Sequence, residues 1–127
     1  MVFDIIRRKY IVLTPEEFVR QLFIHFLIEE MNIAKKRIAV ERQLNLNGKK
    51  FRFDILVFDK KAQPWLIVEC KSYNVKLSKD TVYQIGKYNM QIKAPYLCIT
   101  NGKNSEFYKI DSETQEIMPT KSISEAN

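Results

Sequence analysis

Three residues stand in a pattern suited to holding a divalent cation beside a lysine: Asp54, Glu69 and Lys71. Asp54 interrupts the apolar run FRFDILVFD (51–59), and Glu69 interrupts WLIVECK (65–71). Side chains alternate faces along a strand. Arg52, Asp54, Leu56 and Phe58 therefore share one face, and Phe51, Phe53, Ile55 and Val57 the other. In the second run Trp65, Ile67, Glu69 and Lys71 share a face. A hairpin that closes with Phe58 opposite Trp65 brings Asp54 opposite Glu69, with Cβ atoms about 4.5–5.5 Å apart. Two like charges so placed repel, and a carboxylate within an apolar strand is costly unless it is paired or binds a metal. A divalent cation between them removes the repulsion, and all-oxygen ligands suit Mg²⁺ or Mn²⁺. Lys71, two residues beyond Glu69 on the same face, is placed to stabilise charge at a phosphoryl transition state or to orient an attacking water. A single Asp or Glu in a strand is more often an edge or solvent feature. The weight rests on the joint pattern, and a one-residue slip would put the two carboxylates on opposite faces.

Other chemistry has less support. Cys70 and Cys98 lie in apolar, strand-like runs with no C-x-x-C spacing and no nearby histidine, so they read as buried free thiols. His25 is the only histidine, which excludes a histidine-based metal cluster. Ser72 and Tyr73 follow Lys71 without a base partner that would make either a nucleophile. The net charge is +6 and the pI near 9.3, a balance that favours a polyanion, nucleic acid first and a membrane surface second. The basic clusters are Arg7-Arg8-Lys9, Lys35-Lys36-Arg37, Lys49-Lys50-Arg52 and Lys60-Lys61, each as readable as a solvated face as it is a phosphate contact. The sequence holds no apolar stretch long enough to span a membrane, and MVFDIIRRKY does not fit a signal peptide, so a cytoplasmic location is expected.

The elements that must position these residues are legible in outline. With 127 residues and 46% hydrophobic content, a single domain (1–127) with a core over about 13–118 is expected. Residues 1–12 read as an extended or loosely ordered arm. Thr14-Pro15-Glu16-Glu17 opens a helix that runs to about Met31, with Val19, Leu22, Phe23, Phe26, Leu27 and Glu30 at helical spacing. Residues 38–44, 51–58 and 65–70 read as strands, with Asn47-Gly48 as a tight turn. Ser78 caps a second helix patterned by Val82, Ile85, Tyr88 (or Asn89) and Ile92 and stopped by Pro95. Residues 96–100 form a fourth strand and 107–110 a possible fifth, while 119–127 read as a flexible tail. The fold class is α/β: a central mixed sheet of four to five strands flanked by helices, in the order α-β-β-β-α-β, antiparallel at first and parallel after the second helix.

Asp54 followed by Glu69-Cys70-Lys71 on adjacent strands resembles the PD-(D/E)XK nuclease signature. More narrowly, the chain resembles the N-terminal nuclease domain of type I restriction enzyme R subunits. The resemblance runs over about residues 13–110, through LTPEEFVRQ (13–21), VERQLNLNGKKFRFDILVFD (40–59), IVECKS (67–72), QIGKYN (84–89) and YLCITNG (96–102). Phe53 stands where the signature has proline. The R subunits continue into a helicase-like motor that these residues do not contain, so DNA translocation is not implied. The resemblance does imply a restriction-endonuclease-like core and a Mg²⁺- or Mn²⁺-dependent DNA endonuclease. It implies metal ligation by Asp54, Glu69 and the backbone carbonyl of Cys70, with Lys71 assisting the attacking water. It gives a first-helix glutamate, Glu17 before Glu16, a role in positioning the site; a charged first turn complementing the helix dipole accounts for the same residues. Gln84 and Tyr88 match a Q-x-x-x-Y motif whose helix borders the site and contacts DNA; a core tyrosine with glutamine at its rim is the rival account. The partners implied are DNA, restriction-system subunits and a second copy in a homodimer. Two alternatives stay open: a non-catalytic DNA-binding or subunit-assembly module on the same fold, and a small protein with no nucleic-acid role, since E-x-K is common by chance.

Overall fold

The computed structural model describes residues 1–123. A two-stranded antiparallel hairpin, β1 (Val2–Asp4) and β2 (Lys9–Ile11), precedes helix α1 (Pro15–Glu29). A single 3-10 turn (Lys35–Arg37) leads into β3 (Ile38–Leu46), β4 (Lys49–Phe58) and β5 (Pro64–Cys70). Helix α2 (Lys79–Ile92) then crosses to β6 (Tyr96–Thr100), followed by β7 (Ser105–Ile110) and β8 (Ile117–Thr120). The last six strands form one mixed sheet in sequence order, antiparallel at every step except the parallel pair β5–β6 that α2 connects.

The helices form where the local chemistry favours them. The Thr14 side chain accepts the Glu17 amide at 3.1 Å, and Pro15 takes the first helical position. α2 ends in the left-handed Lys93, two residues before Pro95. The buried Asn89 side chain clamps that exit, accepting from the Ala94 amide and donating to the Ala94 carbonyl at 2.8 Å each. This is why Asn89, not Tyr88, occupies the inward position.

The molecule has three layers. On one side of the sheet Val19, Phe23, Ile24 and Leu27 of α1 pack on Ile55, Val57, Leu66, Val68 and Cys98. On the other, Val82, Ile85 and Ile92 of α2 pack on Leu56, Ile67, Leu97 and Ile99. The expected α/β class and element order are present from α1 onward, with more strands than four to five.

Several expectations are corrected. Residues 1–12, expected as an extended or loosely ordered arm, are extended but fold back as the β1–β2 hairpin. Asp4 is wholly buried and builds the hairpin turn by accepting the Ile6 and Arg7 amides. The chain past Met118 is not all tail, because Pro119 and Thr120 lie in β8, paired to β7; residues 124–127 fall outside the described ones. α1 is rotated from the expected stripe: Ile24 is buried, while Leu22 and Phe26 are 45% and 38% exposed. That rotation turns Glu17, Arg20 and Gln21 inward. Phe58 pairs with Pro64, not Trp65, because the register shifts at Val57/Phe58. Strand alternation also lapses at Asp54, since Phe53 joins the α2-side core while Ile55 joins the α1-side core. Glu41, opposite that position, has φ of +50°.

Among the described residues, no helix is long and apolar enough to cross a membrane.

Candidate active site

The break in alternation sits where the carboxylates meet. On β3 and β4, Glu41 and Asp54 fall at one step of the ladder, between the pairs Val40–Ile55 and Arg42–Phe53. On β4 and β5, Ile55 pairs with Val68, so Asp54 and Glu69 fall at the next step. Glu41, Asp54 and Glu69 thus form one row across three adjacent strands. The hairpin closes one residue away from the expected pairing, yet the bulge absorbs the difference and the two carboxylates still meet.

Both oxygens of Asp54 are held. Oδ1 accepts from Nη2 of Arg20 at 3.0 Å, and Oδ2 accepts the Cys70 amide at 2.8 Å. After burial, Asp54 and Glu69 are the strongest influence on each other's titration. Burial acts to raise the pKa of Asp54, but the hydrogen bonds from Glu69, the Cys70 amide and Arg20 outweigh it and hold Asp54 below its ordinary value. Glu69 moves the other way. Burial first, then the hydrogen bond and charge of Asp54, push it up to about 8 against the pull of Lys71. The two carboxyls therefore titrate as a pair, with the charged form disfavoured at Glu69 and favoured at Asp54.

Lys71 is half-buried directly after β5, its amide donating to the Thr100 carbonyl at 2.8 Å. Its positive charge acts on Glu69. Cys70 and Cys98 are buried free thiols, each pushed above its ordinary pKa mainly by burial. They are small core residues rather than nucleophiles. His25 is half-exposed, its Nδ1 3.5 Å from the Glu29 carboxylate one helical turn on.

The first-helix glutamates separate. Glu17 is buried, its Oε1 at 2.7 Å from Nη1 of Arg20 and its Oε2 at 2.7 Å from Nη2 of Arg7. The Arg7 contact is close but off hydrogen-bond angle. Glu16 is half-exposed, and its charge raises the Glu69 pKa. Glu17 thus reaches Asp54 only through Arg20, while Glu16 acts electrostatically on Glu69. Gln84 and Tyr88 lie on the exposed side of α2. The Tyr88 ring packs edge-on against Phe51 with centroids 5.4 Å apart. Among the described residues, the structure does not bring either into the carboxylate cluster.

Sequence reasoning did not place Arg7, Arg20, Arg52, Asp4 or Glu41 at the site. Arg20 is 5% exposed and also stands 3.5 Å from Glu16 and 3.6 Å from Glu41. Arg7 reaches Asp4 at 2.7 Å and Glu41 at 3.4 Å, and Arg52 reaches Glu41 at 3.6 Å. The available signal was local: Arg20 follows Glu16 and Glu17 at helical spacing. Six carboxylates (Asp4, Glu16, Glu17, Glu41, Asp54, Glu69) meet four cations (Arg7, Arg20, Arg52, Lys71), an excess of two negative charges when all are ionised.

No curated protein is similar enough to the chain to serve as a relative. A family model described as the type I restriction enzyme R protein N terminus matches residues 15–124, from the start of α1 through the end of the sheet. That segment carries Glu17, Arg20, Asp54, Glu69 and Lys71, and the chain belongs to the family of type I restriction enzyme R protein N-terminal regions.

Proposed function

We propose that the chain is a divalent-metal-dependent DNA endonuclease module of the PD-(D/E)XK type, with a restriction-endonuclease-like core, acting within a restriction system. The observation that carries this reading is the Asp54–Glu69 pair: two carboxylates at the same step of neighbouring strands, one step beyond the Ile55–Val68 pair, with Asp54 held by Arg20 and the Cys70 amide. The donor set offers oxygens only, as a hard dication prefers; among the described residues no three acidic, histidine or cysteine side chains converge as ligands, so the two carboxylates would share the ion with a backbone carbonyl and water. Asp54, Glu69 and the backbone carbonyl of Cys70 would hold the ion, which would supply Lewis-acid stabilisation of the charge that develops on the phosphate.

The chain's own groups do the rest. Arg20 and the Cys70 amide fix the Asp54 carboxylate before any ligand arrives. Lys71, whose positive charge acts on Glu69, would steady the attacking water and the charge on the phosphoryl oxygens. The exposed Lys49, Lys50 and Arg52 of β4 offer sequence-independent phosphate contacts. Gln84 and Tyr88, on the open side of α2, are assigned to the DNA-facing border of the site, not to its metal ligands. Glu17 positions Arg20.

One observation favours the non-catalytic alternative. Arg20 already neutralises Asp54, so the fold can hold this carboxylate without a metal. DNA cleavage separates the readings. Supercoiled and linear DNA are incubated with wild type, Asp54→Ala and Lys71→Ala, each with Mg²⁺ or Mn²⁺. Cleavage by wild type with loss of about 10²–10³-fold in either variant is expected. Equal activity in all three proteins would remove the assignment.

A further inference from the structure

We propose that Arg20 is a positioning residue for Asp54, and that the N-terminal hairpin is part of the site because it holds Arg20 in place through Arg7 and Glu17. The proposal rests on the reading of Asp54 as a metal ligand and extends it to residues that lie before the family match, which begins at residue 15.

Five side chains of alternating charge run from the sheet to the hairpin. Asp54 Oδ1 meets Arg20 Nη2 at 3.0 Å, and Arg20 Nη1 meets Glu17 Oε1 at 2.7 Å. Glu17 Oε2 meets Arg7 Nη2 at 2.7 Å, and Arg7 Nε donates to Asp4 Oδ2 at 2.7 Å. Gln21 ties the far end to the helix, donating to Asp4 Oδ2 at 2.8 Å. The inner members are shut away from water: Arg20, Glu17 and Asp4 are 5%, 6% and 0% exposed. Each therefore has its orientation set by its partners and not by solvent.

Arginine is needed at the centre. Its planar fork spans Glu17 and Asp54 at once, which the single ammonium of a lysine does not reproduce. With Oδ1 taken by Arg20 and Oδ2 by the Cys70 amide, Asp54 has one orientation, and its remaining lone pairs are fixed relative to Glu69. The arrangement is not an optimum for stability. Among the described residues, Arg7 Nη2, Arg20 Nε and Gln21 Oε1 are buried without a hydrogen-bond partner. Such groups cost free energy and mark places where a fold serves something besides stability.

A rival account makes Arg20 a counter-charge only, and it predicts the opposite sign. Removing a positive charge beside a dication would tighten metal binding. Removing a positioning group weakens it. The test uses the full chain as wild type, Arg20→Lys, Arg20→Gln and Arg7→Gln, with two readouts. The first is amide hydrogen exchange of Cys70 without metal, compared with the rest of β5 in the same protein. Global destabilisation cancels in that ratio, and the Cys70 amide reports directly on where Asp54 sits. The second is Mn²⁺ affinity by calorimetry.

The Cys70 amide is expected to lose at least about 10-fold in relative protection in the Arg20 variants, with Mn²⁺ affinity falling by a similar factor, as outer-shell partners of metal ligands do. Arg7→Gln, which leaves every contact of Asp54 in place, is expected to shift both in the same direction, and it carries the test should the Arg20 variants fail to fold. Unchanged Cys70 exchange, or tighter Mn²⁺ binding in Arg20→Gln, overturns the positioning role. Unchanged behaviour of Arg7→Gln beside altered Arg20 variants overturns the part given to the hairpin. Altered Cys70 exchange in a protein that binds no Mn²⁺ supports the positioning role and defeats the metal reading instead.

Discussion

Glu69→Gln should make the metal-free protein more stable at alkaline pH while removing its response to divalent cations. In the folded chain Glu69 titrates at about 8, against an ordinary value of 4.5, because burial and the neighbouring Asp54 disfavour its charge. Between those two values the folded state binds a proton that the unfolded state has released. Stability therefore falls as pH rises through that window and levels off above about 8. The gap between 4.5 and about 8, at about 1.4 kcal/mol per pH unit, sets a ceiling near 5 kcal/mol. Water reaching the half-buried pair reduces this to about 2–3 kcal/mol. Glutamine keeps a donor for Asp54 and cannot ionise. The variant should match wild type near pH 5 and exceed it by that margin near pH 8.5. Urea denaturation in a chelator at both pH values measures the difference. Adding millimolar Mg²⁺ at the higher pH should raise wild-type stability and leave the variant unchanged. Parallel pH dependence in the two proteins, or a variant less stable than wild type near pH 8.5, would refute the argument that two opposed carboxyls set the site's electrostatics.

Three further outcomes follow from the same structure. Asn89→Ala should destabilise the fold by about 2–4 kcal/mol in thermal or urea unfolding, because it strands a buried amide and carbonyl at Ala94. Replacing the exposed Lys50 by Gln should weaken DNA binding uniformly across sequences and lower the log–log salt slope by about one, read by fluorescence anisotropy at several salt concentrations. Tyr88→Ala should leave Mn²⁺ affinity within about threefold of wild type while raising KM for DNA, since its ring contacts Phe51 and not the carboxylates.

The acidic half of the site was legible because strand alternation and hairpin pairing are short-range rules. Asp54, Glu69 and Lys71 follow from them even though the closing pair is Phe58–Pro64. The expected faces of β4 were half right, because alternation predicts no lapse and the lapse at Asp54 accompanies a left-handed Glu41 in the neighbouring strand. Helical spacing links Arg20 to Glu16 and Glu17 but gives no trace of its partner on β4. Arg20 and Asp54 are 34 residues apart, and an ion pair across that distance has no sequence signature. The first hairpin was missed because its turn, Ile5 to Arg8, carries no glycine, proline or asparagine, and Arg8 supplies the left-handed residue. Asp4 held the missed clue, since an aspartate readily builds a turn with its own side chain. β8 was missed because it is a four-residue edge strand containing Pro119, which strand patterns discount.

The most direct measurement is single-turnover cleavage of a DNA duplex at saturating Mn²⁺, comparing wild type with Lys71→Ala. The account predicts cleavage by wild type and a rate at least about 100-fold lower in the variant, with Mn²⁺ and DNA affinities within about threefold of wild type. No cleavage by wild type, or equal rates in the two proteins, would contradict it.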